Sequence, residues 1–581
     1  MIPPAGAAPT WNARGWAADE ARFETKLQVV HKLSEGRLFQ FGREYTKREY
    51  EAMAKEYEAA WASAHGDFDA NDPASVERAF WDIVEMQSER ASVEYGNDLD
   101  VKVFGTGFAA DESGEKHPWD FEHLYSHPLN LLRVIEHDIP GLTKPWLYLG
   151  MLFATFCWHV EDHFLCSLNY LHRGAPKTWY GVPGSDAEAF ENCARATVPR
   201  LFEQAPDILH QIVTMVPPGI LVDHGVKVVH TVQRPGEFIV TFPRSYHAGF
   251  SHGFNVGEAV NFGHVNWLDF GRRAIDVYSA GTFKRNAVFA HHRLIARAAE
   301  TFADVFSVSG GVLRSKSMAA VISTLRKELE SILSDEEIYR SSLVRRGLAT
   351  AVVDTPNEDD DTCCIRCKSI PFLSVVRCKC LPYAVRCLRH AMDGCECAAA
   401  DRCLEIRVMG SYVKGLLRSL LQGEPVQKGR GKASEEELEQ FLASVNLVAT
   451  TKLETTLAEA PPAKKPKAEE KERKKGVRWG PELKSRFAAA LAELGERATA
   501  AQFFHHMCAR GHVDGLTTGA IYNRLWYLRN KVRADQKERS DPGEKSHDAI
   551  KQSLDASTDE QLEAPLEAPS STETASRYQT L

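Results

Sequence analysis

The residues best suited to chemistry sit where an apolar run ends, in FCWHVEDH, which places His159 and Glu161 two positions apart. Buried charge is costly unless it is paired or bound to metal. Alternate side chains of a strand share a face, so His159 and Glu161 project together while Val160 points the other way. An imidazole and a carboxylate on one face can hold one edge of a metal ion. His247 ends a second apolar run, in VTFPRSYHAGFSHG, two residues before Gly249, and is the best candidate for a third ligand. Two histidines and one carboxylate leave three octahedral positions open, which suits non-heme Fe(II) with a bidentate cosubstrate and dioxygen. A zinc ion with one open position is the competing reading. Lys177, in NYLHRGAPKTWYG, is close enough in sequence to lie on the next strand, where its cation could pair with the far carboxylate of a 2-oxo acid. Tyr148, Ser167 and Asn169 add hydroxyl and amide donors, whereas His163, His172 and His252 read as structural.

A second constellation lies in CIRCKSIPFLSVVRCKCLPYAVRCLRHAMDGCEC. It gives Cys364-x2-Cys367, Cys378-x-Cys380, Cys387-x2-His390 and Cys395-x-Cys397, four ligand pairs in a short span that suit two tetrahedral zinc ions. Their alternating order predicts a cross-brace, with Cys364, Cys367, Cys387 and His390 on one ion and Cys378, Cys380, Cys395 and Cys397 on the other. Cys363 and Cys403 are spare, and Cys157, Cys166, Cys193 and Cys508 read as core thiols.

These residues must be positioned by the elements around them. Residues 20–90 read as helical, with YTKREYEAMAKEYEAAW spaced for a helix face. From about 93 to 270, short apolar runs broken by Gly and Pro, such as KTWYGVPG and GEFIVTFPRSYHAGF, predict strands. Residues 285–350 return to amphipathic helix, the acidic break DTPNEDDD precedes the cysteines, and SYVKGLLRSLLQ and EEELEQFLASVNLV are further helices. Residues 458–476 read as a charged linker and the tail from about 536 as disordered. The 581 residues, 44% hydrophobic and 26% charged, fit several globular domains, and a net charge of −9 argues against a uniformly basic nucleic-acid binder. No signal peptide is read at the N-terminus. WLYLGMLFATFCW (146–158) is too short to span a bilayer as a helix, so no membrane is expected.

The segments PWLYLGMLFATFCWHVEDHFLCSLNYLHRGAPKTWYGVPG and GEFIVTFPRSYHAGFSHGFNVGEAVNF resemble the Jumonji C (JmjC) domain, and within it the demethylases of lysine-4 of histone H3. The resemblance covers roughly residues 38–410. It implies a mixed α+β fold: a double-stranded β-helix (jelly-roll or cupin-like) core with flanking helices and a zinc finger. It implies Fe(II) held by His159, Glu161 and His247, 2-oxoglutarate with its far carboxylate on Lys177 and Tyr148, Asn169 and Ser167 lining the pocket, Phe156 and Trp179 packed around the cosubstrate, and Tyr95 bordering the substrate cleft. The implied reaction uses dioxygen and 2-oxoglutarate to hydroxylate an N-methyl group, giving a hemiaminal that loses formaldehyde. The cysteine spacing resembles the five-Cys, His, two-Cys finger of the same branch. Residues 1–37 do not match the JmjN segment of the family, the ARID and PHD modules are not seen, and Arg173 stands where relatives often have Trp.

The stretch VRWGPELKSRF…LTTGAIYNRLWYLRNKVR resembles a plant GARP-type Myb-like domain, a small three-helix unit whose third helix, about Thr517–Arg533, would carry Asn523, Arg524, Arg529, Lys531 and Arg533 to DNA. Arg524, Trp526 and Leu528 depart from the SHLQKY signature of those relatives. The expected order is a partly disordered N-terminal segment (1–37), a helical support and the start of the catalytic region (38–112), the JmjC catalytic domain (113–279), a helical domain (280–355), the two-zinc finger (360–410), helices and charged linker (411–475), the Myb-like domain (476–535) and a disordered tail (536–581). The resemblance implies a nuclear enzyme acting on the methylated histone H3 tail in chromatin, chiefly a transcriptional repressor, with DNA as a further partner. The alternatives are a catalytically inactive chromatin regulator and a protein hydroxylase of the same chemistry.

Overall fold

The computed structural model describes residues 21–36, 38–108, 119–204, 209, 214–279, 286–308, 316–354, 362–423 and 435–451. The Myb-like segment, with Asn523, Arg524, Arg529, Lys531 and Arg533, lies outside the described residues, as do the charged linker and the tail. No described helix is long and apolar enough to cross a membrane.

Eleven strands build the part of the fold that carries the first constellation: β1 (Arg22–Val29), β2 (Gln40–Thr46), β3 (Ser92–Asp100), β4 (Trp146–Gly150), β5 (Thr155–His159), β6 (Cys166–Gly174), β7 (Lys177–Val182), β8 (Val229–Gln233), β9 (Phe238–Thr241), β10 (Tyr246–Ser251) and β11 (Asn255–Phe262). One seven-stranded sheet runs β2-β1-β3-β4-β11-β6-β9, and a four-stranded sheet runs β5-β10-β7-β8. The apolar stretch 146–158 is thus two strands, one in each sheet, separated by Met151–Ala154. A helix was not available to it: its residues are rich in aromatic and β-favouring types and both neighbours offer strand edges. In the large sheet β11 pairs antiparallel with β4, placing Gly257 opposite Tyr148, and with β6, placing Ala259 opposite Asn169 and Asn261 opposite Ser167. In the small sheet His247 lies directly opposite His159.

The expectation of helix throughout residues 20–90 is corrected. Among the described residues there, only Lys47–Ala64 and Pro73–Met86 are long helices. RFETKLQV alternates exposed and buried side chains at its start and pairs with both β2 and β3, so its period of two, which the helix-forming residues downstream obscured, decides its state. The first helix starts at a capping box in which Glu49 N–H donates to Thr46 Oγ1 and Thr46 N–H donates to Glu49. The second starts at Asp72, which accepts from Ala74 and Ser75 N–H, with Pro73 in the first turn. Glu94 on β3 locks β1 and β2 to the sheet: its carboxylate accepts from Thr25 Oγ1 at 2.6 Å, Arg43 N–H at 2.9 Å and Tyr45 OH at 2.9 Å.

The strand-dominated region also contains a helix the periodicity reading missed. Ala187–Thr197 buries Ala187, Phe190, Cys193 and Ala194, a three-to-four spacing hidden among strand signals. Downstream, the helices His291–Val308, Lys316–Arg345 and Gly410–Gln422 share one apolar core that includes Trp267, Leu294, Leu325, Phe372 and Leu416. The remaining strands, β12 (Ala349–Val352), β13 (Ser374–Cys378), β14 (Leu381–Arg386) and β15 (Arg402–Ile406), form a sheet of order β12-β15-β13-β14 around the cysteine cluster.

Candidate metal centres and cosubstrate pocket

His159 ends β5, Glu161 follows it, and His247 is the second residue of β10. The cross-strand register brings the two imidazole rings to 4.1 Å. His247 Nε2 lies 3.3 Å from Glu161 Oε1, and one ligand atom from each of the three residues falls within 4.8 Å of the others. Ligand atoms each about 2.1 Å from one ion and at right angles sit about 3 Å apart, so the set fits a single cation. Both histidines are pre-set for ligation. His159 Nδ1 contacts the Cys157 carbonyl at 2.7 Å and His247 Nδ1 the Ser245 carbonyl at 3.0 Å. In the neutral ring an N–H donated there leaves Nε2 as a lone-pair nitrogen able to ligate a cation, whereas the protonated His247 ring donates from Nε2 toward Glu161 instead. Burial would raise the Glu161 carboxyl, but the hydrogen bond and charge of His247, aided by His159 and Asn261, hold it down at about 2. The carboxylate is therefore ionised and ready for a cation.

The three ligands line one solvent-open cavity with Tyr95, Tyr148, Phe156, Ser167, Asn169, Lys177 and Trp179. The structure thus brings together all ten residues singled out in the sequence for this site. Lys177, the first residue of β7, is 5% exposed, and no carboxylate of the described residues forms an ion pair with it. Burial pulls its ammonium down to about 7. Its Nζ lies 5.5 Å from the ring centre of Tyr95 and 5.8 Å from that of Phe156. A buried cation faced by rings calls for an anion, and a bound carboxylate would meet that need. Phe156 and Trp179 pack at 4.5 Å between ring centres. Ser167 Oγ lies 2.5 Å from Thr241 Oγ1, and Asn169 Nδ2 donates to Ser167 Oγ at 3.1 Å.

Several contributors were not found in the sequence. Asn261 lines the cavity, donates to Cys166 O at 3.2 Å and helps keep the Glu161 carboxyl low. It lies two and four residues beyond Ala259 and Gly257 on β11, so strand alternation carried the signal. Gln233 accepts from Trp179 Nε1 at 2.9 Å and fixes that indole. Asp98, left-handed at φ 59°, hydrogen-bonds Tyr148, a contact no local pattern announces.

The cysteine cluster resolves into two sets, Cys364, Cys367, Cys387, His390 and Cys378, Cys380, Cys395, Cys397, each with its ligand atoms within 4.8 Å of one another. These are the sets the cross-brace predicts. Cys367 and Cys387 Sγ are 3.7 Å apart, and Cys378 Sγ is 3.4 Å from Cys380 and 3.6 Å from Cys395. Thiolates at about 2.3 Å from one zinc ion stand about 3.8 Å apart, so both sets fit tetrahedral zinc. Hydrogen bonds from Cys367 and Cys387 pull the Cys364 thiol far down, while Cys364 and Cys367 push Cys387 up. The thiols compete for protons, as donors gathered for a cation do. Cys363 and Cys403 fall outside both sets. Two arginines, each 1% exposed, order the ligand loop: Arg386 Nε donates to Asp393 O at 2.8 Å, and Arg402 donates to Ala391 O and Cys395 O.

Residues 146–262 match the family model of the JmjC domain, hydroxylase, and residues 364–413 that of the C5HC2 zinc finger. The molecule is a JmjC-domain protein with a C5HC2 zinc finger and flanking helices. It is 40% identical over 370 residues to lysine-specific demethylase 5B of Gallus gallus, covering 62% of this chain and 23% of that protein. It is 38% identical over 352 residues to lysine-specific demethylase JMJ17 of Arabidopsis thaliana and 38% over 357 residues to lysine-specific demethylase 5D of Homo sapiens, covering 57% and 59% of this chain and 28% and 22% of theirs. The matched region therefore spans less than a third of these relatives.

Proposed function

We propose that this protein is an Fe(II)- and 2-oxoglutarate-dependent demethylase of lysine-4 of histone H3. One observation carries the reading: His159, Glu161 and His247 converge in the same cavity as Lys177, a buried cation without an anionic partner among the described residues. The similarity to lysine-specific demethylases supports the reaction. The placing of β4, β11, β6 and β9 in one sheet and β5, β10, β7 and β8 in another supports a double-stranded β-helix.

Bound iron and 2-oxoglutarate supply the oxidation of an N-methyl C–H bond by dioxygen. The chain's own residues do the rest. His159 and His247 offer Nε2 and Glu161 an ionised oxygen to the ion. Lys177 and Tyr148 orient the far carboxylate of the 2-oxo acid, with Asn169 and Ser167 beside it. Phe156 and Trp179 keep water from that side of the pocket, and Tyr95 borders the methyl-lysine. Both cysteine sets hold zinc and support the fold. Association with chromatin in the nucleus, repression of transcription, and DNA contact through residues 476–535 belong to the same proposal.

The test is mass spectrometry of methylated histone H3 tail peptides incubated with the protein, Fe(II), ascorbate and 2-oxoglutarate. Losses of about 14 Da confined to the lysine-4 peptide and absent with His159→Ala are expected, since each lost methyl is replaced by hydrogen. The similarity of residues 146–262 to the JmjC hydroxylase family supports a second reading, a protein hydroxylase, and a gain of about 16 Da on the product would select it.

A further inference from the structure

We propose that Trp267 is a positioning residue for the Glu161 carboxylate: its indole N–H holds the His163 carbonyl and so maintains the turn that aims the ligand. The inference rests on reading His159, Glu161 and His247 as a metal site.

Glu161 is extended, at φ −67° and ψ 153°, and the chain turns back immediately after it. Phe164 N–H donates to Glu161 O at 2.9 Å and Leu165 N–H to Asp162 O at 3.1 Å, closing the turn. Inside it His163 and Phe164 are both left-handed, at φ 52° and 54°. Two consecutive non-glycine residues in that region are strongly disfavoured and persist only where the surroundings impose them. The His163 ring does so only by packing. It is buried, its two nitrogens have no hydrogen-bond partner, and it stacks 4.0 Å from Phe289 and faces Tyr278 at 5.3 Å. The directional contact is the bond from Trp267 Nε1 to His163 O, at 2.8 Å.

Trp267 is itself fixed. It is fully buried in the helical core, with glycines on two sides. A Cβ at Gly271 would come within 2.7 Å of the indole, and one at Gly263 within 3.1 Å. The spacing Gly263, Trp267, Gly271 is therefore a slot for the ring, and the indole couples the helical core to His163, two residues beyond a metal ligand. Partners of this kind commonly alter metal affinity by about 10- to 100-fold.

The experiment measures Mn(II) binding to the full chain with zinc present in the finger. It uses wild type, Glu161→Ala, Trp267→Phe, and a protein carrying 3-benzothienylalanine at position 267, which keeps the ring shape and removes the donor. Zinc content and thermal unfolding report the fold, and the isostere serves if the phenylalanine variant does not fold. We expect wild-type binding that Glu161→Ala abolishes, binding weakened about tenfold by the isostere, and recovery when His163→Gly is added, because glycine adopts the left-handed turn unaided. Unchanged affinity in the isostere protein overturns the inference and leaves the metal site standing. Weakening that His163→Gly does not restore also overturns it, since Trp267 would then act through packing alone. Wild-type binding that is absent or insensitive to Glu161→Ala removes the metal reading, and the inference with it.

Discussion

Raising the pH above neutrality should release 2-oxoglutarate from the pocket proposed for it, because Lys177, the cation proposed to receive it, is already close to losing its proton. Burial brings the Lys177 ammonium from its ordinary 10.5 down to about 7. That drop corresponds to roughly 5 kcal/mol of lost preference for the charged form. A bound carboxylate restores the preference, so binding above pH 7 must take up a proton. Affinity should be nearly flat below about pH 7 and fall about tenfold for each pH unit above it, while the bound complex keeps Lys177 charged. The ligand-free fold responds in the opposite sense. Between about 7 and 10.5 the unfolded chain holds the lysine proton and the folded chain does not, so stability rises with pH across that window. Calorimetry of 2-oxoglutarate binding with Mn(II) in place of iron, in buffers of different ionisation enthalpy, reads both the affinity and the proton count. A flat affinity between about pH 7 and about pH 9 with no proton uptake would refute the reasoning, as would the same slope in Lys177→Met.

Other expectations follow from single contacts. Cys387→Ser should remove one of two zinc ions per chain and lower the unfolding temperature, read by metal analysis and calorimetry, because this thiol touches both Cys367 and His390. Gly249→Ala would place a Cβ 2.0 Å from the Thr178 carbonyl and 2.5 Å from the Phe156 ring. It should cost about 1–3 kcal/mol in denaturant unfolding and weaken 2-oxoglutarate binding through Phe156. Glu94→Ala strands the Tyr45 hydroxyl, while Thr25 Oγ1 keeps the Arg43 carbonyl at 3.0 Å, and should cost about 1–3 kcal/mol. Burial would raise the Glu94 carboxyl, but bonds from Thr25, Arg43 and Tyr45 hold it below its ordinary value. Its stabilisation is present above pH 4.5 and lost as the pH falls through the lower folded value, a loss the variant should not show in acid titration.

The chemistry of the site was more legible than its scaffold. His159 ends β5 and Glu161, two residues on, is still extended, so the alternation read for a strand puts them on one face. His247 is 88 positions beyond His159 and could be chosen only because it ends a similar run. The zinc sets were legible because paired spacings of one and two residues survive whatever the fold does around them. β1 was not: its alternation covers few residues, and the strong helix formers after it dominated the window. Asp98, Gln233 and Asn261 were missed because each acts through a partner brought close by sheet pairing. Arg386 and Arg402 were not singled out in the sequence, because their burial depends on loop carbonyls that come together only once the finger is closed.

The sheet around the cysteines has a consequence for how this protein can be recombined. Its edge strand β12 comes from before the first zinc ligand and runs parallel to β15, with Ala349 opposite Cys403 and Val352 opposite Ile406. The helix that follows, Gly410–Gln422, packs back into the core shared with His291–Val308 and Lys316–Arg345. A cut at the acidic break would separate β12 from β15 and expose a strand edge, and a cut after β15 would leave an apolar helix face bare. The finger is an insertion stitched at both ends, and a transplantable unit would have to carry its host helices with it.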